Sequence, residues 1–210
     1  MDIIKPLKWR YATKKFDPTK TIPAATIEVI KQGFNLTASS YGLQPVRLLI
    51  INNKKILKEL VPISSNQQQV GQASHLFVFC IDINIDEAYI RSYFETIKSL
   101  RNTPDAVLSG FRESLISSFK SKSPDDIYNW GVKQAYLALG NMLTVCATQG
   151  IDSCPMEGFD PLAYDRYFNL NEKGMRSVLL MPIGYRAEDD IFAHMKKVRK
   201  NLEDSIIEIN

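Results

Sequence analysis

The sequence predicts a single α+β domain in which helices and strands are mixed along the chain. It has 210 residues, of which 45% are hydrophobic and 23% charged, as is usual for a globular domain. Three apolar, β-prone runs indicate strands, and several stretches with apolar residues at helical spacing indicate helices. Since no repeat, low-complexity run or Pro/Gly/Ser linker divides the chain, we expect one domain over residues 1–210.

Two strands and the helices around them are predicted in the first half of the chain. After a short first helix, Pro23 can open a second helix at its N1 position, and this helix should end near Thr37. The continuous apolar runs 46–51 and 75–83 are typical of buried strands. A short helix is indicated between these strands by the apolar residues Ile56, Leu57 and Leu60.

The second half begins with a helical region, residues 86–121, which divides into two amphipathic pieces. Thr103 is expected to cap the second piece and Pro104 to start it. Residues 177–183 form the last apolar strand, and residues 206–209 alternate weakly between apolar and polar, like an edge strand. We expect that such a tail could pair with a second subunit.

A long helix is predicted between these two parts. Ser123 can cap it, Pro124 fits its first position, and Gly150 is a plausible stop. Between residues 130 and 146 the helix is apolar nearly all round, which indicates burial against its own core on one side and a partner on another. Gly140 would let another backbone approach closely.

Composition and charge exclude several classes of function. A net charge of +3 and a pI of about 8.6, with Lys and Arg scattered among acids, give little support for a nucleic-acid partner. The chain begins Met-Asp and soon turns polar, without an apolar stretch long enough for a signal peptide or a membrane span. We therefore expect a cytoplasmic protein with no membrane association.

Cysteine and histidine do not indicate a metal site. Cys80, Cys146 and Cys154 are odd in number, lie in apolar surroundings and form no Cys-x-x-Cys pair, so we interpret them as packing residues. His75 and His194 are too few for a metal cluster, and His75 opens an apolar strand, where a structural role fits best. The sequence contains no Gly-x-Gly-x-x-Gly, Walker A, His-Glu-x-x-His or Gly-x-Ser-x-Gly motif.

Three short segments and one basic pair carry the residues most suited to chemistry. The segments mix polar, Gly and Pro residues that do not serve a core, and loops between rigid elements are where binding residues concentrate. Arg10, Lys197 and Arg199 could supply donors for a phosphate or a similar anion, although each alone could equally be a solvated surface charge. The segments are residues 10–14, 39–45 and 155–158, and the pair is Lys197 with Arg199.

In their order and spacing these segments resemble the oxygen-insensitive NAD(P)H nitroreductases and the related dihydropteridine reductases, which are FMN enzymes. The resemblance covers nearly the whole chain. It is carried by Arg10-Tyr-Ala-Thr-Lys14-Lys-Phe16, Ala38-Ser-Ser-Tyr-Gly-Leu-Gln-Pro45, Asn66, Ala73-Ser-His75, Lys133-Gln-Ala-Tyr-Leu-Ala-Leu-Gly-Asn141, Pro155-Met-Glu-Gly-Phe-Asp160, Gly184 and the Lys197/Arg199 pair. It implies a three-layer α/β/α sandwich with a central mixed, largely antiparallel sheet and a C-terminal strand exchanged with a partner subunit. Residues 86–121 would be a variable helical region near the active site.

The resemblance also implies a homodimer with FMN at the interface. Arg10, Lys197 and Arg199 would hold the FMN phosphate, while Ser39, Ser40 and Gln44 would reach FMN from the other subunit. The matching FMN-binding positions are Arg10, Tyr11, Ala12, Lys14, Ser39, Ser40, Gly42, Gln44, Asn66, Gln69, Pro155, Met156, Glu157, Gly158, Lys197 and Arg199.

Around the flavin ring, the resemblance places Lys14 beside the N1/O2 edge, where a fixed cation stabilises the reduced anion. Asn66 would hydrogen-bond the pyrimidine edge, and a backbone N–H of Glu157 or Gly158 would point at N5, the atom that carries hydride. No side chain is assigned as a certain catalytic residue. Lys14 and Glu157 would support the chemistry, and a role for the Glu157 carboxyl as an acid is the less favoured alternative.

Three positions depart from the enteric nitroreductases: Ala12, Gly42 and Gln69 stand where those enzymes carry Ser, Asn and Lys. FMN binding should survive, because the phosphate cations remain. The lost charge at Gln69 predicts a lower flavin reduction potential than in a Gln69→Lys variant.

The implied reaction is a ping-pong transfer of hydride from NADH or NADPH, through flavin N5, to a nitroaromatic, a quinone or a pterin. Tyr41 and the region 86–121 would shape the pocket. Phe111, Ile116 and Phe119 are candidates to cover the flavin, although their helical spacing fits ordinary core packing better. Two alternatives stay open: an FMN enzyme that acts on another metabolite, and an FMN-binding dimer without turnover.

Overall fold

A four-stranded sheet forms the centre of the computed structural model, which describes residues 2–209. Neighbouring strands are antiparallel, and an isolated parallel bridge joins Ala12 to Ser153. The strand order is β1-β2-β4-β3, which places β1 at one edge. The strands are β1 (Val46–Ile51), β2 (His75–Asp82), β3 (Asp152–Ser153) and β4 (Met175–Gly184).

Helices cover both faces of the sheet. Side chains of β2 alternate between two cores: Phe77 and Phe79 pack with α2 and α7, whereas Leu76 and Val78 pack with α3 and α8. This arrangement is the three-layer α/β/α sandwich, so the predicted fold class is confirmed. The helices are α1 (Ile4–Trp9), α2 (Ala24–Asn35), α3 (Lys54–Leu60), α4 (Gln68–Gln72), α5 (Glu87–Arg101), α6 (Asp105–Lys120), α7 (Pro124–Thr148) and α8 (Pro161–Phe168).

The long helix α7 agrees closely with its prediction. Ser123 and Asp126 form a reciprocal capping box, and Gly150, with a φ of 67°, follows its C-terminal end. Its inner positions are buried, but Tyr136 and Leu137 remain 43% and 50% exposed. A Cβ added at Gly140 would meet no heavy atom within 4 Å. Within this single chain, α7 therefore presents an uncovered apolar face.

Some element boundaries differ from the predictions. Pro23 is the N-cap of α2 and not its first residue, because its ψ of 144° is extended. Thr103 does not cap α6: Pro104 occupies the N-cap, and no side chain caps the helix. The strand 46–51 was predicted to be buried, yet most of its residues are only half-buried, because β1 is an edge strand.

The helical pair α5–α6 forms a third, smaller core. Ile116 and Phe119 are buried in it together with Phe94, which confirms that they are packing residues. Phe111 packs edge-on against Phe94, with ring centroids 5.7 Å apart, but 52% of it remains exposed, so it lies at the border of this core.

Other predictions concern the C-terminal segment, the cysteines and membrane association. Residues 206–209 form no strand in the described chain, and their exchange with a partner stays a prediction. The three cysteines are buried and free, as expected. No described helix has both the length and the apolar character needed to cross a membrane.

Candidate active site

The segment after α1 is fastened by one buried carboxylate. Asp190 Oδ2 accepts hydrogen bonds from the Tyr11 hydroxyl at 2.9 Å, from Lys14 N at 3.0 Å and from Lys15 N at 3.2 Å. Burial by itself would raise the pKa of Asp190, but these bonds and one from the Phe192 N–H outweigh it and lower the pKa. The backbone of residues 11–15 is thus held against the C-terminal part of the chain.

Three cations meet beside this segment. Lys197 Nζ donates to the Arg10 carbonyl, and Arg199 lies near enough to affect both charges. Burial and the Arg199 charge lower the pKa of Arg10, while burial and the charges of Arg10 and Arg199 lower that of Lys197. Within residues 2–209 none of the three forms an ion pair, and the buried Arg10 Nε has no hydrogen-bond partner. Such a cluster has the charge and the free donors that would suit an anion.

The Lys14 ammonium group is a fourth cation at the same corner. Its Nζ lies 3.8 Å from Cys154 Sγ, and the Lys14 side chain forms no ion pair with any described residue. Burial raises the pKa of the Cys154 thiol more than the Lys14 charge lowers it. Because the thiol stays protonated at neutral pH, it leaves the positive charge of Lys14 uncompensated.

The turn 155–158 completes this corner. Met156 pairs with Leu180 through bonds of 2.9 and 3.0 Å, and Gln67 Nε2 donates to Gly158 O at 2.7 Å. A Cβ at position 158 would lie 2.9 Å from that nitrogen, so glycine permits the close approach. The backbone N–H groups of Glu157 and Gly158 have no acceptor among the described residues. They form a pair of free donors on an otherwise fixed turn.

Two amide side chains connect helix α4 to this turn. Gln69 is buried and donates to Gln67 Oε1 at 2.9 Å, and it also lies against the Cys154 thiol. Asn66 precedes the helix in an exposed left-handed conformation, with a φ of 56°. Gln69 therefore belongs to the same corner as the cation cluster, and Asn66 lies next to Gln67 in the chain.

The loop 39–45 lies away from this corner in the folded chain. Ser40 N donates to Gln134 Oε1 at 2.9 Å, while Gln44 N donates to Ser39 Oγ at 2.9 Å. Gln134 and Tyr136 are two positions apart on α7, which corresponds to roughly 200° around a helix. Since Tyr136 contacts the turn 155–158 through Glu157, the loop and the turn lie on opposite sides of α7.

The loop itself is strained and closely packed. Tyr41, Gly42 and Gln44 have positive φ values of 59°, 75° and 46°. A Cβ at Gly42 would lie 2.2 Å from the Tyr93 hydroxyl, so both the conformation and the space require glycine. The absence of an amide side chain at position 42 thus has a structural cause.

The single chain therefore brings most of the predicted site residues together but leaves one group apart. At the common corner are Arg10, Tyr11, Ala12, Lys14, Asn66, Gln69, Pro155, Met156, Glu157, Gly158, Lys197 and Arg199. Those on the other side of α7 are Ser39, Ser40, Gly42 and Gln44.

Sequence reasoning missed the residues that support this corner. Arg186 pairs with Asp152 at 2.6 Å and stacks on the rings of Trp9 and Tyr11 at 4.4 and 4.6 Å. Asp190 fixes the backbone after α1. Both act across about 35 or more positions of sequence, for which one sequence carries no local signal.

Comparison with known proteins gives full-length matches. The sequence model of the nitroreductase family matches residues 7–185. The chain is 30% identical over 217 aligned residues to the oxygen-insensitive NAD(P)H nitroreductase of Salmonella typhimurium, with 100% of both chains covered. Among solved structures, it resembles a nitroreductase-like protein from Streptococcus mutans, with a TM-score of 0.86, 24% identity and coverage of 100% and 98%. A protein from Exiguobacterium sibiricum, solved in complex with FMN, gives a TM-score of 0.86 at 20% identity, again with coverage of 100% and 98%.

Proposed function

The chain belongs to the nitroreductase family, and on this premise we propose that it is an FMN-dependent oxidoreductase that uses NADH or NADPH. The observation that carries the proposal is the unpaired cluster of Arg10, Lys197 and Arg199, with its orphaned buried Arg10 Nε. A phosphate group offers three acceptor oxygens and a negative charge, so the terminal phosphate of FMN fits this donor set. Full-length relatives named NAD(P)H nitroreductases support NADH or NADPH as the hydride donor.

The other residues of the corner fit a flavin ring. When bound, FMN would supply an N5 atom that takes hydride from reduced nicotinamide and then delivers it to a nitroaromatic, quinone or pterin in a ping-pong cycle. Lys14 would face the N1/O2 edge with a charge that no neighbouring acid compensates. Asn66 would bind the pyrimidine edge, and the free N–H groups of Glu157 and Gly158 would donate to the N5 region.

A second copy of the chain would complete the site. Because Ser39, Ser40 and Gln44 lie on the far side of α7, one chain cannot place them at its own cation cluster, whereas a partner can. The apolar face of α7 around Leu137 and Gly140 offers a surface for that partner. We therefore propose a homodimer with two sites at its interface.

The C-terminal tail provides further support for this dimer. A cavity of about 880 Å³ lies beside the open edge of β1, and its charged lining residues are Lys31, Arg47 and Arg101. The segment 203–209 carries three acids and three exposed isoleucines, so it complements the cavity in charge and in apolar character. We propose that the partner's tail lies against β1, as the predicted strand exchange requires.

The phosphate role can be tested by a matched pair of variants. Lys197→Gln removes one cluster charge, and Lys200→Gln makes the same change three residues later. Loss of a charge-assisted hydrogen bond worth about 1.5–3 kcal/mol should weaken FMN binding by about 10- to 100-fold in the first variant and leave it unchanged in the second. A purified wild-type protein that is colourless and refuses added FMN would refute the proposal.

Turnover is tested separately from binding. Anaerobic mixing with NADH or NADPH should bleach the flavin absorbance, and a subsequent oxidant should restore it. A protein that binds FMN but is not bleached by either nucleotide would be a passive binder, and the enzymatic part of the proposal would fall. A panel of nitroaromatics, quinones and pterins then identifies the oxidant.

A further inference from the structure

The turn 155–158 is held at four points, of which the last has no assigned role. Met156 is fixed to β4, and Gly158 O accepts from Gln67. The Glu157 carbonyl accepts from Phe159 N at 2.9 Å, and Glu157 is also held through its side chain: the Tyr136 hydroxyl donates to Glu157 Oε1 at 2.6 Å. The two free N–H groups therefore lie among three backbone anchors and one side-chain anchor.

The side-chain anchor comes from a rigid element. Tyr136 lies in the middle of α7, next to the fully buried Ala135, so its backbone position is set by the main core. The hydrogen bond to the Glu157 carboxylate raises the pKa of Tyr136, and the phenol therefore stays a donor at neutral pH. Glu157 forms no other side-chain hydrogen bond with the described residues.

We propose that Tyr136 is a positioning residue for hydride transfer, which acts by fixing the direction of the Glu157 and Gly158 N–H groups. The inference rests on the proposed function, because only a bound flavin gives these donors a target. Its physical basis is that the Glu157 and Gly158 N–H groups have no acceptor among the described residues, so Glu157 is held only by the Phe159 N–H on its carbonyl and by the phenol on its side chain. Without the phenol, rotation about the Glu157 backbone would change where both donors point.

This role differs from that of an acid. If Glu157 acted through its own carboxyl proton, Tyr136 would be secondary and an amide at position 157 would be inactive. If Tyr136 positions the turn, an amide at position 157 should keep a faster rate than alanine there, because the amide oxygen still accepts from the phenol. The two accounts therefore predict opposite results for Glu157→Gln.

The experiment compares four variants of the full-length chain: Tyr136→Phe, Glu157→Gln, Glu157→Ala and Tyr128→Phe. The last is a matched control, since Tyr128 lies on the same helix and its hydroxyl has no hydrogen-bond partner among the described residues. The backbone order parameters of Glu157 and Gly158 are measured by ¹⁵N relaxation, and flavin reduction by NADH is followed in a stopped-flow instrument. Sedimentation confirms that every variant keeps the wild-type oligomeric state.

We expect Tyr136→Phe to lower both order parameters from about 0.85, typical of rigid backbone, towards 0.6. Flavin reduction should slow by about 10- to 100-fold, as for small misplacements of reacting groups, with FMN affinity unchanged. Glu157→Ala should match Tyr136→Phe, Glu157→Gln should be reduced faster than Glu157→Ala, and only the control Tyr128→Phe should behave like the wild type.

Two results would overturn the inference: wild-type order parameters and rates in Tyr136→Phe, or a Glu157→Gln variant as slow as Glu157→Ala. Failure of the proposed function is distinguishable, because the wild-type protein itself would then bind no FMN or resist reduction.

Discussion

Asp190 is the residue whose loss should have the largest structural effect near the site. Its carboxylate accepts from the Tyr11 hydroxyl and from the N–H groups of Lys14 and Lys15 on Oδ2, and from the Phe192 N–H on Oδ1. In an Asp190→Asn variant, one oxygen can keep the three Oδ2 bonds without the charge. The amide NH₂ then faces the Phe192 N–H, and two donors oppose each other.

The magnitude follows from these contacts. Leaving one buried donor unsatisfied costs about 1–3 kcal/mol, and removing the charge weakens each of the other bonds by up to about 1 kcal/mol. After a discount for the partly exposed Lys14 and Lys15 groups, the free energy of unfolding should fall by about 3 kcal/mol. For a chain of this length that corresponds to a decrease in Tm of roughly 6–12 °C.

Thermal and urea unfolding of wild type and variant measure this difference, and Asp189→Asn is the control. Asp189 is the adjacent acid, and its pairing with the exposed Lys15 ammonium lies at the surface, so its loss should change stability by less than about 1 kcal/mol. The pKa of Asp190 is lowered from 3.8 in the folded state, so its stabilisation is present at neutral pH and is lost as the pH falls below that value. The difference in the free energy of unfolding between wild type and Asp190→Asn should therefore become smaller at acidic pH.

An Asp190→Asn protein no less stable than Asp189→Asn would refute this reasoning. A difference in the free energy of unfolding that stays unchanged in acid would also refute it, because the stabilisation would then not depend on the carboxylate charge.

Three further predictions concern single positions. Replacing Gln69 by Lys should raise the flavin reduction potential in a potentiometric titration, since it adds a cation at the corner; no upward shift would contradict the assigned position. The pKa of His75 is lowered by burial and by the Lys54 charge, so its neutral form is favoured in the folded state, and stability should fall as the pH drops below 6.5. Melting temperatures across this range should decline less in His75→Gln. Gly42→Ala should cost about 1–3 kcal/mol, because its Cβ would meet the Tyr93 hydroxyl at a positive φ, and Tyr93→Phe should recover part of the loss in urea unfolding.

The elements that sequence predicted well are those with strong local signals. Strand β2 is apolar at every position that the core needs, and α7 carries its own cap at Ser123. The elements α4 and β3 were not predicted, because five residues with one apolar side chain, or two residues, give too little periodicity. Helix α8 was missed although Asp160 caps it and Pro161 opens it, as Ser123 and Pro124 do for α7. Residues 206–209 form no strand in the described chain, so their predicted pairing with a second molecule stays a prediction.

The candidate site divides in the same way. Arg10 and Lys14 were identified because they form part of an ordered pattern of segments along the chain. Asp190 and Tyr136 were not assigned a role from the sequence. Asp190 accepts several hydrogen bonds and Tyr136 donates one, and these bonds form only in the folded chain. Resemblance therefore located the groups that would touch the cofactor, while the structure located the groups that hold them.

The division of the site across α7 has a genetic consequence. In the proposed dimer, each pocket takes its phosphate cations from one copy and its loop 39–45 from the other. A copy damaged at Arg199 and a copy damaged at Ser40 would each form inactive homodimers, yet a mixed dimer would contain one pocket built from the undamaged half of each. Co-expression of two such alleles should restore up to half of the activity per mixed dimer, which is intragenic complementation.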